Sequence, residues 1–169
     1  MLKLSKYLFI VFIGINSQLV AAQPALFENS VLTIPTGAAI VNGEPIYYND
    51  IQLISDIEGN FSLLAAQRSN LVSVDSVSLL INITQPIPDQ VSFAVTGHKS
   101  IPCVELQAPA VFQDEFTFTV ALAETTLGPA ESCIAVLDPF ETIITLPIQG
   151  LASGTYSVTV NGIESSFSR

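Results

Sequence analysis

The sequence predicts an all-β protein, an immunoglobulin-like β-sandwich with a small N-terminal β-strand extension. Three observations carry that prediction. Apolar and polar residues alternate with period two in segment after segment, which is the mark of strands with one face on a core. Pro, Gly, Asn and Asp punctuate those segments at short intervals, as turns require. Beyond the first 22 residues, helical spacing is absent apart from a weak stretch around Leu63 to Leu71.

Residues 1–22 have the three parts of a secretory signal peptide. Lys3 and Lys6 make the basic start, Tyr7 to Ile15 an apolar run of nine residues, and Val20-Ala21-Ala22 a small-residue cleavage site. A membrane span needs about 20 apolar residues, so the mature chain is expected to carry no transmembrane segment and to be secreted or periplasmic. No Cys follows the cleavage site, and lipid attachment there is not expected.

Only 12% of the 169 residues are charged, yet 15 acids face 5 bases, for a net charge of −10. Cleavage removes two lysines and leaves the 15 acids against Arg68, Lys99 and Arg169, a net of −12. Nucleic-acid affinity rests on Lys and Arg, so that class of partner is excluded.

Residues 23–70 read as the β-rich extension. Short strands are expected at 31–34, 38–41, 46–54 and 60–66, separated by Pro35-Thr36-Gly37, Asn42-Gly43-Glu44-Pro45 and Asp56-Ile57-Glu58-Gly59. About 40 residues bury too little to stand alone comfortably, so the unit should pack on the sandwich through a joint at Arg68-Ser69-Asn70.

Residues 71–169 read as the sandwich. Seven strands are predicted, at 72–83, 90–97, 102–106, 115–122, 141–148, 155–160 and 163–168. In the first, Val72 and Val74 are out of phase with Val77, Leu79, Ile81 and Ile83, which a bulge near Asp75-Ser76 would explain. In later strands Val91, Phe93 and Val95, then Phe116, Phe118, Val120 and Leu122, then Ile144, Leu146 and Ile148, then Tyr156, Val158 and Val160 each share one phase, expected to face the core. Asn161-Gly162 predicts a type I′ hairpin, since both central residues must take positive φ. Leu151, Gly154 and Tyr156 read as a tyrosine corner whose hydroxyl bonds back to upstream backbone.

Cys103 and Cys133 are the two cysteines of the chain. In an oxidising compartment the simplest reading is one disulfide, closing a loop worth roughly 3–4 kcal/mol. The antibody-type bridge is not available, because Val158 stands two residues after Tyr156 where that Cys would be.

The chemistry inventory is thin, and a non-enzymatic protein without cofactor or metal is expected. His98 is the single His and lies in Thr96-Gly97-His98-Lys99-Ser100, read as an exposed turn. Asp114-Glu115 are adjacent, so on a strand they point to opposite faces. Asp56 and Glu58 resemble a calcium loop only in composition; the plain reading is a polar hairpin turn. Copper ligation needs soft or imidazole ligands, and the mature chain offers one His and no Met. Any function is therefore sought on the surface. Tyr47 and Tyr48 are adjacent on a strand, so one ring should face away from the core, and Phe112 lies in a loop spanning 107–114. These three are the candidate interaction residues toward an unknown protein or envelope component. The alternative is a module that binds a small ligand or cation through acidic loops.

The stretch from Val74 to Phe167 resembles a domain of exported bacterial proteins and lipoproteins of unknown function. The resemblance is carried by Cys103, Cys133, Pro139-Phe140, Ile144 with Leu146, Gly150-Leu151, Gly154, Tyr156, Val158 and Val160-Asn161-Gly162. The segment 31–64 is similar to a short unit near the N-terminus of some secreted bacterial proteins, through Tyr48 and Gly59-Asn60-Phe61. The resemblance implies compartment and fold, and brings no activity or ligand with it.

Overall fold

The computed structural model describes residues 24–80, 90–129 and 131–169. The signal-peptide reading of 1–22 and the end of the first sandwich strand, Ile81 to Ile83, lie outside the described residues. Every regular element among those described is a strand, and none is a helix long and apolar enough to cross a membrane.

The extension is one antiparallel sheet in chain order, made of β1 (Leu26–Glu28), β2 (Val31–Val41), β3 (Glu44–Ser55) and β4 (Phe61–Arg68). Asn29-Ser30 and Asn42-Gly43 turn the first two hairpins with φ of 50° and 64°, and of 54° and 84°. Positive φ at both central residues is what two-residue I′ hairpins need. Two expectations are corrected here. β2 runs unbroken through Pro35-Thr36-Gly37, because Pro35 falls opposite Asp50, which sits at φ 49°. That lets the ladder skip the one residue of β2 with no N–H to give. Leu63 to Leu71 is not helical either; pairing with β3 holds Phe61–Arg68 extended, and tertiary pairing outweighs a weak local period.

Seven strands follow: β5 (Ser73–Leu80), β6 (Gln90–Lys99), β7 (Ala110–Asp114), β8 (Thr117–Ala121), β9 (Asp138–Pro147), β10 (Thr155–Val160) and β11 (Ile163–Ser168). They form two sheets, β5-β6-β9 and β11-β10-β8-β7. Alternate residues of both meet in one core, with Phe93, Val95, Ile144 and Leu146 against Phe118, Val120, Tyr156, Val158, Val160 and Phe167. Phe167 sits among the rings of Phe93, Phe118 and Tyr156, at centroid distances of 6.1, 6.0 and 5.2 Å. Each such side chain contributes roughly 1.5–3 kcal/mol when fully buried. The chain is a β-sandwich.

The phase slip in β5 is a bulge. Val74 pairs with Gly97 and Ser76 with Thr96, which leaves Asp75 as the extra residue. Gly97 lets the strands close at that point, since a Cβ there would lie 2.0 Å from the Ser73 carbonyl oxygen. The Asn161-Gly162 turn has φ of 46° and 93° and joins β10 to β11 as a two-residue hairpin.

Three details depart from expectation. No strand forms at 102–106, where Leu106 makes only an isolated bridge to Glu124. The strand missing from the list is β7, which turns into β8 through Glu115-Phe116, with Glu115 at φ 47°. And β8 pairs with β10 in parallel, Thr117 to Val120 alongside Ser157 to Val160, whereas immunoglobulin sheets are antiparallel throughout. Cys103 and Cys133 are disulfide-bonded, tying the loop after β6 to the segment before β9.

Candidate functional site

The joint between extension and sandwich is built from the ends of strands. β3 supplies Tyr47, which is 3% exposed and packs with Ala121 and Ala123 beyond the main core. Its hydroxyl donates to the Ala108 carbonyl at 3.0 Å. Tyr47 is therefore no exposed interaction residue: the extension docks through it, and that docking is the physical reason it is covered. Tyr48 pairs with Arg68 on the other face and stays half-buried. Phe112 is not in a loop but on β7 opposite Thr119, also half-buried.

The ladder between β3 and β4 extends into the linker, where the Ser69 N–H donates to the Tyr47 carbonyl at 2.9 Å. Strand side chains alternate between faces, so Ser69 falls on the face of Tyr47 and Arg68 on that of Tyr48. Ser69 is 3% exposed and its Oγ has no hydrogen-bond partner. Across from it stands Glu124, also 3% exposed. The Glu124 carboxylate accepts from the Ser100 N–H at 2.8 Å and the Ser100 hydroxyl at 2.5 Å. No Lys, Arg or His nitrogen pairs with it among the described residues, whose ion pairs are His98–Asp75 and Lys99–Asp138, each at 2.9 Å. Tyr47, Arg68, Ser69, Leu71, Ser100 and Glu124 are among the residues that border a cavity of about 460 Å³ at this joint, so it holds both a guanidinium and a carboxylate.

The far end of the extension carries a different feature. Phe27 pairs with Leu32, Leu32 with Leu53, and Leu53 with Leu63, while Phe61 stands opposite Ser55. Paired residues share a face, so these five apolar side chains lie together. Phe27 and Phe61 belong to the two outermost strands, three strand spacings of about 4.8 Å apart in a flat sheet. Their rings nevertheless meet edge-on with centroids 6.1 Å apart. The sheet therefore curls toward this face. No second layer covers it among the described residues; Phe27, Phe61 and Leu63 remain 56%, 51% and 65% exposed.

The remaining candidates have structural partners. His98 lies in β6, next to its last residue, correcting the turn expected there, and its Nδ1 lies 2.9 Å from the Asp75 carboxylate on the bulge. Asp56 turns its oxygens inward, accepting from the Glu58 and Asn60 N–H groups at 2.9 Å and from Asn60 Nδ2 at 3.0 Å. The Asn60 side chain, then the backbone of the turn, holds this carboxyl below its ordinary range against a small cost of desolvation. Among the described residues no group of three or more His, Cys, Asp or Glu side chains is placed to hold a metal ion. The Tyr156 hydroxyl donates to the Ala152 carbonyl at 2.9 Å. Leu151 packs on the core beside it. A Cβ at Gly154 would lie 2.9 Å from the Phe116 ring, which in turn rests 5.0 Å from the Tyr156 ring.

Sequence reasoning placed Ser69 in the joint but missed Glu124. A Glu that ends the apolar run Ala121-Leu122-Ala123 has the pattern of the wet end of a strand; its burial comes from segments distant in sequence, with Ser100 holding its carboxylate and Leu106 bridging its backbone.

The model of the ORF11 beta-sandwich domain family matches residues 93–168. The chain is similar to that family from most of β6 to the end of β11, which leaves β5 and the extension outside the match. No curated protein and no solved structure matches the chain.

Proposed function

We propose that this chain is an exported, non-catalytic β-sandwich protein that acts by contact, with the curled extension sheet as its interaction surface toward a protein or envelope component. The observation that carries the reading is the uncharged face of Phe27, Leu32, Leu53, Phe61 and Leu63. Contiguous exposed apolar surface is uncommon on monomers and marks interaction sites. The disulfide supports export, since such bonds persist in oxidising compartments. The non-catalytic reading is supported by the place of His98, the chain's single His, whose Nδ1 is engaged at 2.9 Å by Asp75 of the β5 bulge.

The test replaces Phe61 and Leu63 together by Lys. Both are half exposed, so the fold should survive, as read by an unchanged melting temperature. Wild-type protein is expected to retain a defined partner on cross-linking in an envelope extract, and the double variant to lose it. If folded wild type captures nothing that the variant does not also capture, the reading fails.

A further inference from the structure

We propose that the outer edge of β4 pairs two copies of this chain, antiparallel about a two-fold axis, so that two four-stranded extension sheets become one continuous sheet. This goes beyond the contact role of the sheet face, because it rests on the backbone of the edge strand and not on the side chains of the face.

β4 is the last strand of its sheet, and all eight of its residues are exposed. Among the described residues no strand and no backbone hydrogen bond takes up its outer side. The Ser69 N–H donates to the Tyr47 carbonyl and so points into the sheet. Backbone groups alternate in direction along an antiparallel strand, so those of Arg68 and Ala66 point outward. A row of such unpaired groups is a template for another strand, and proteins blunt it with charge, proline, bulges or brevity. The other free edges of this chain are blunted in that way. Pro35 stands in β2 beyond the reach of β1, and Asp75 bulges from β5. Asp114 ends the five-residue β7, Glu141 lies between two prolines in β9, and Glu164 stands in β11. From Phe61 to Gln67, β4 has no charge, no Pro and no Gly. Its one irregularity is Leu64, the extra residue between the pairs Leu53–Leu63 and Gln52–Ala65.

Charge selects a second copy as the occupant. A net charge of −10 opposes contact between copies over most of the surface, but this edge carries no acid along its run. Its two ends have opposite sign. Glu58 lies exposed in the turn before Phe61, and Arg68 closes the strand. Arg68 also borders the joint cavity, and it forms no ion pair among the described residues. Antiparallel pairing of identical strands brings the start of each beside the end of the other. Glu58 of either copy then meets Arg68 of the other, and the contact occurs twice. Parallel pairing would set like charge beside like. A two-fold interface of this kind is self-complementary and closes at two copies.

The experiment is sedimentation velocity on the protein purified after export, over a dilution series, with amide hydrogen exchange read by NMR at both ends of the series. A monomer–dimer equilibrium with a Kd of about 10 µM or tighter is expected, and the Ala66 amide should exchange more slowly in the dimer than in the monomer. Ala66→Pro removes an outward N–H and leaves the β3 ladder its donors. It should weaken dimerisation by about tenfold, with the monomer's melting temperature unchanged. Glu58→Lys should weaken it by about threefold. Glu44→Lys, the same change of charge in the β2–β3 turn, should not weaken it. A monomer at every concentration overturns the proposal, as does a dimer whose Ala66 amide exchanges as fast as the monomer's. Undiminished pairing by folded Ala66→Pro overturns it too, and equal effects of Glu58→Lys and Glu44→Lys overturn the antiparallel order. The exchange measurement needs no variant, so it decides the matter even if Ala66→Pro fails to fold. Capture of an envelope partner by Phe61 and Leu63 is read separately, so either reading can fail without the other.

Discussion

Asn161 does more than turn a hairpin. Its Oδ1 accepts from the Leu122 N–H at 2.9 Å, and its Nδ2 donates to the carbonyls of Val72 and Leu122 at 2.9 and 2.7 Å. One amide thus links the β10–β11 turn to the residue after β8 and the residue before β5, one from each sheet. Asn161→Asp retains tolerance for positive φ and keeps the acceptor, but replaces two donors by an oxygen facing two carbonyls. The expected loss is about 2–4 kcal/mol, read as a lower urea midpoint at unchanged slope. A loss under about 0.5 kcal/mol, the range of ordinary surface changes, would show that these contacts do not matter. The turn was legible in Asn-Gly, because local φ demands fix it. The contacts of the side chain were not, because its partners lie 39 and 89 residues away.

Two elements make claims of their own. At the β5 bulge, Gly97→Ala would force a methyl against the Ser73 carbonyl and the Phe140 ring, which lie 2.0 and 3.0 Å from the Cβ position. Since backbone must move to admit it, destabilisation of about 2–3 kcal/mol is expected in chemical denaturation. In the β3–β4 turn, the Asp56 carboxyl is held below its ordinary value of 3.8, first by the Asn60 side chain. A depressed folded value means the turn gains support above the unfolded value and loses it as the pH falls through the folded one. Carbon NMR should therefore find an Asp56 midpoint below 3.8, with the Asn60 amide shifting in step; a midpoint above that value would contradict the geometry. Alternation made most strands legible, and the phase slip even announced the bulge. β7 escaped notice because Pro109 precedes it and only five residues pair. The strand expected at 102–106 failed for the opposite reason, an acceptable pattern with no neighbour but a single bridge at Leu106.

At the scale of the molecule, the Cys103–Cys133 bond closes a loop with a sequence separation of 30, whose exposed apolar side chains include Val111 and Phe116. Replacing both cysteines by Ser should lower stability by about 3–4 kcal/mol through the freed unfolded chain, seen as an earlier thermal transition; an unchanged transition would mean the loop is already constrained without it. The joint cavity was invisible in sequence, because it exists only where two separately readable units meet. The parallel run of β8 beside β10 has a further consequence, in the order of events. The strand ladders of the extension are complete by Arg68, for all of them join consecutive strands. β8 waits about 40 residues for Ser157 to reach Thr117. A chain delivered N-terminus first carries a sheet with all its strands present at its leading end and an open strand edge behind it, and such edges recruit other chains. The last 15 residues, from Thr155 onward, act as the latch. Truncation before them leaves the interior edge of β8 bare, and a product cut there should aggregate where the whole chain does not.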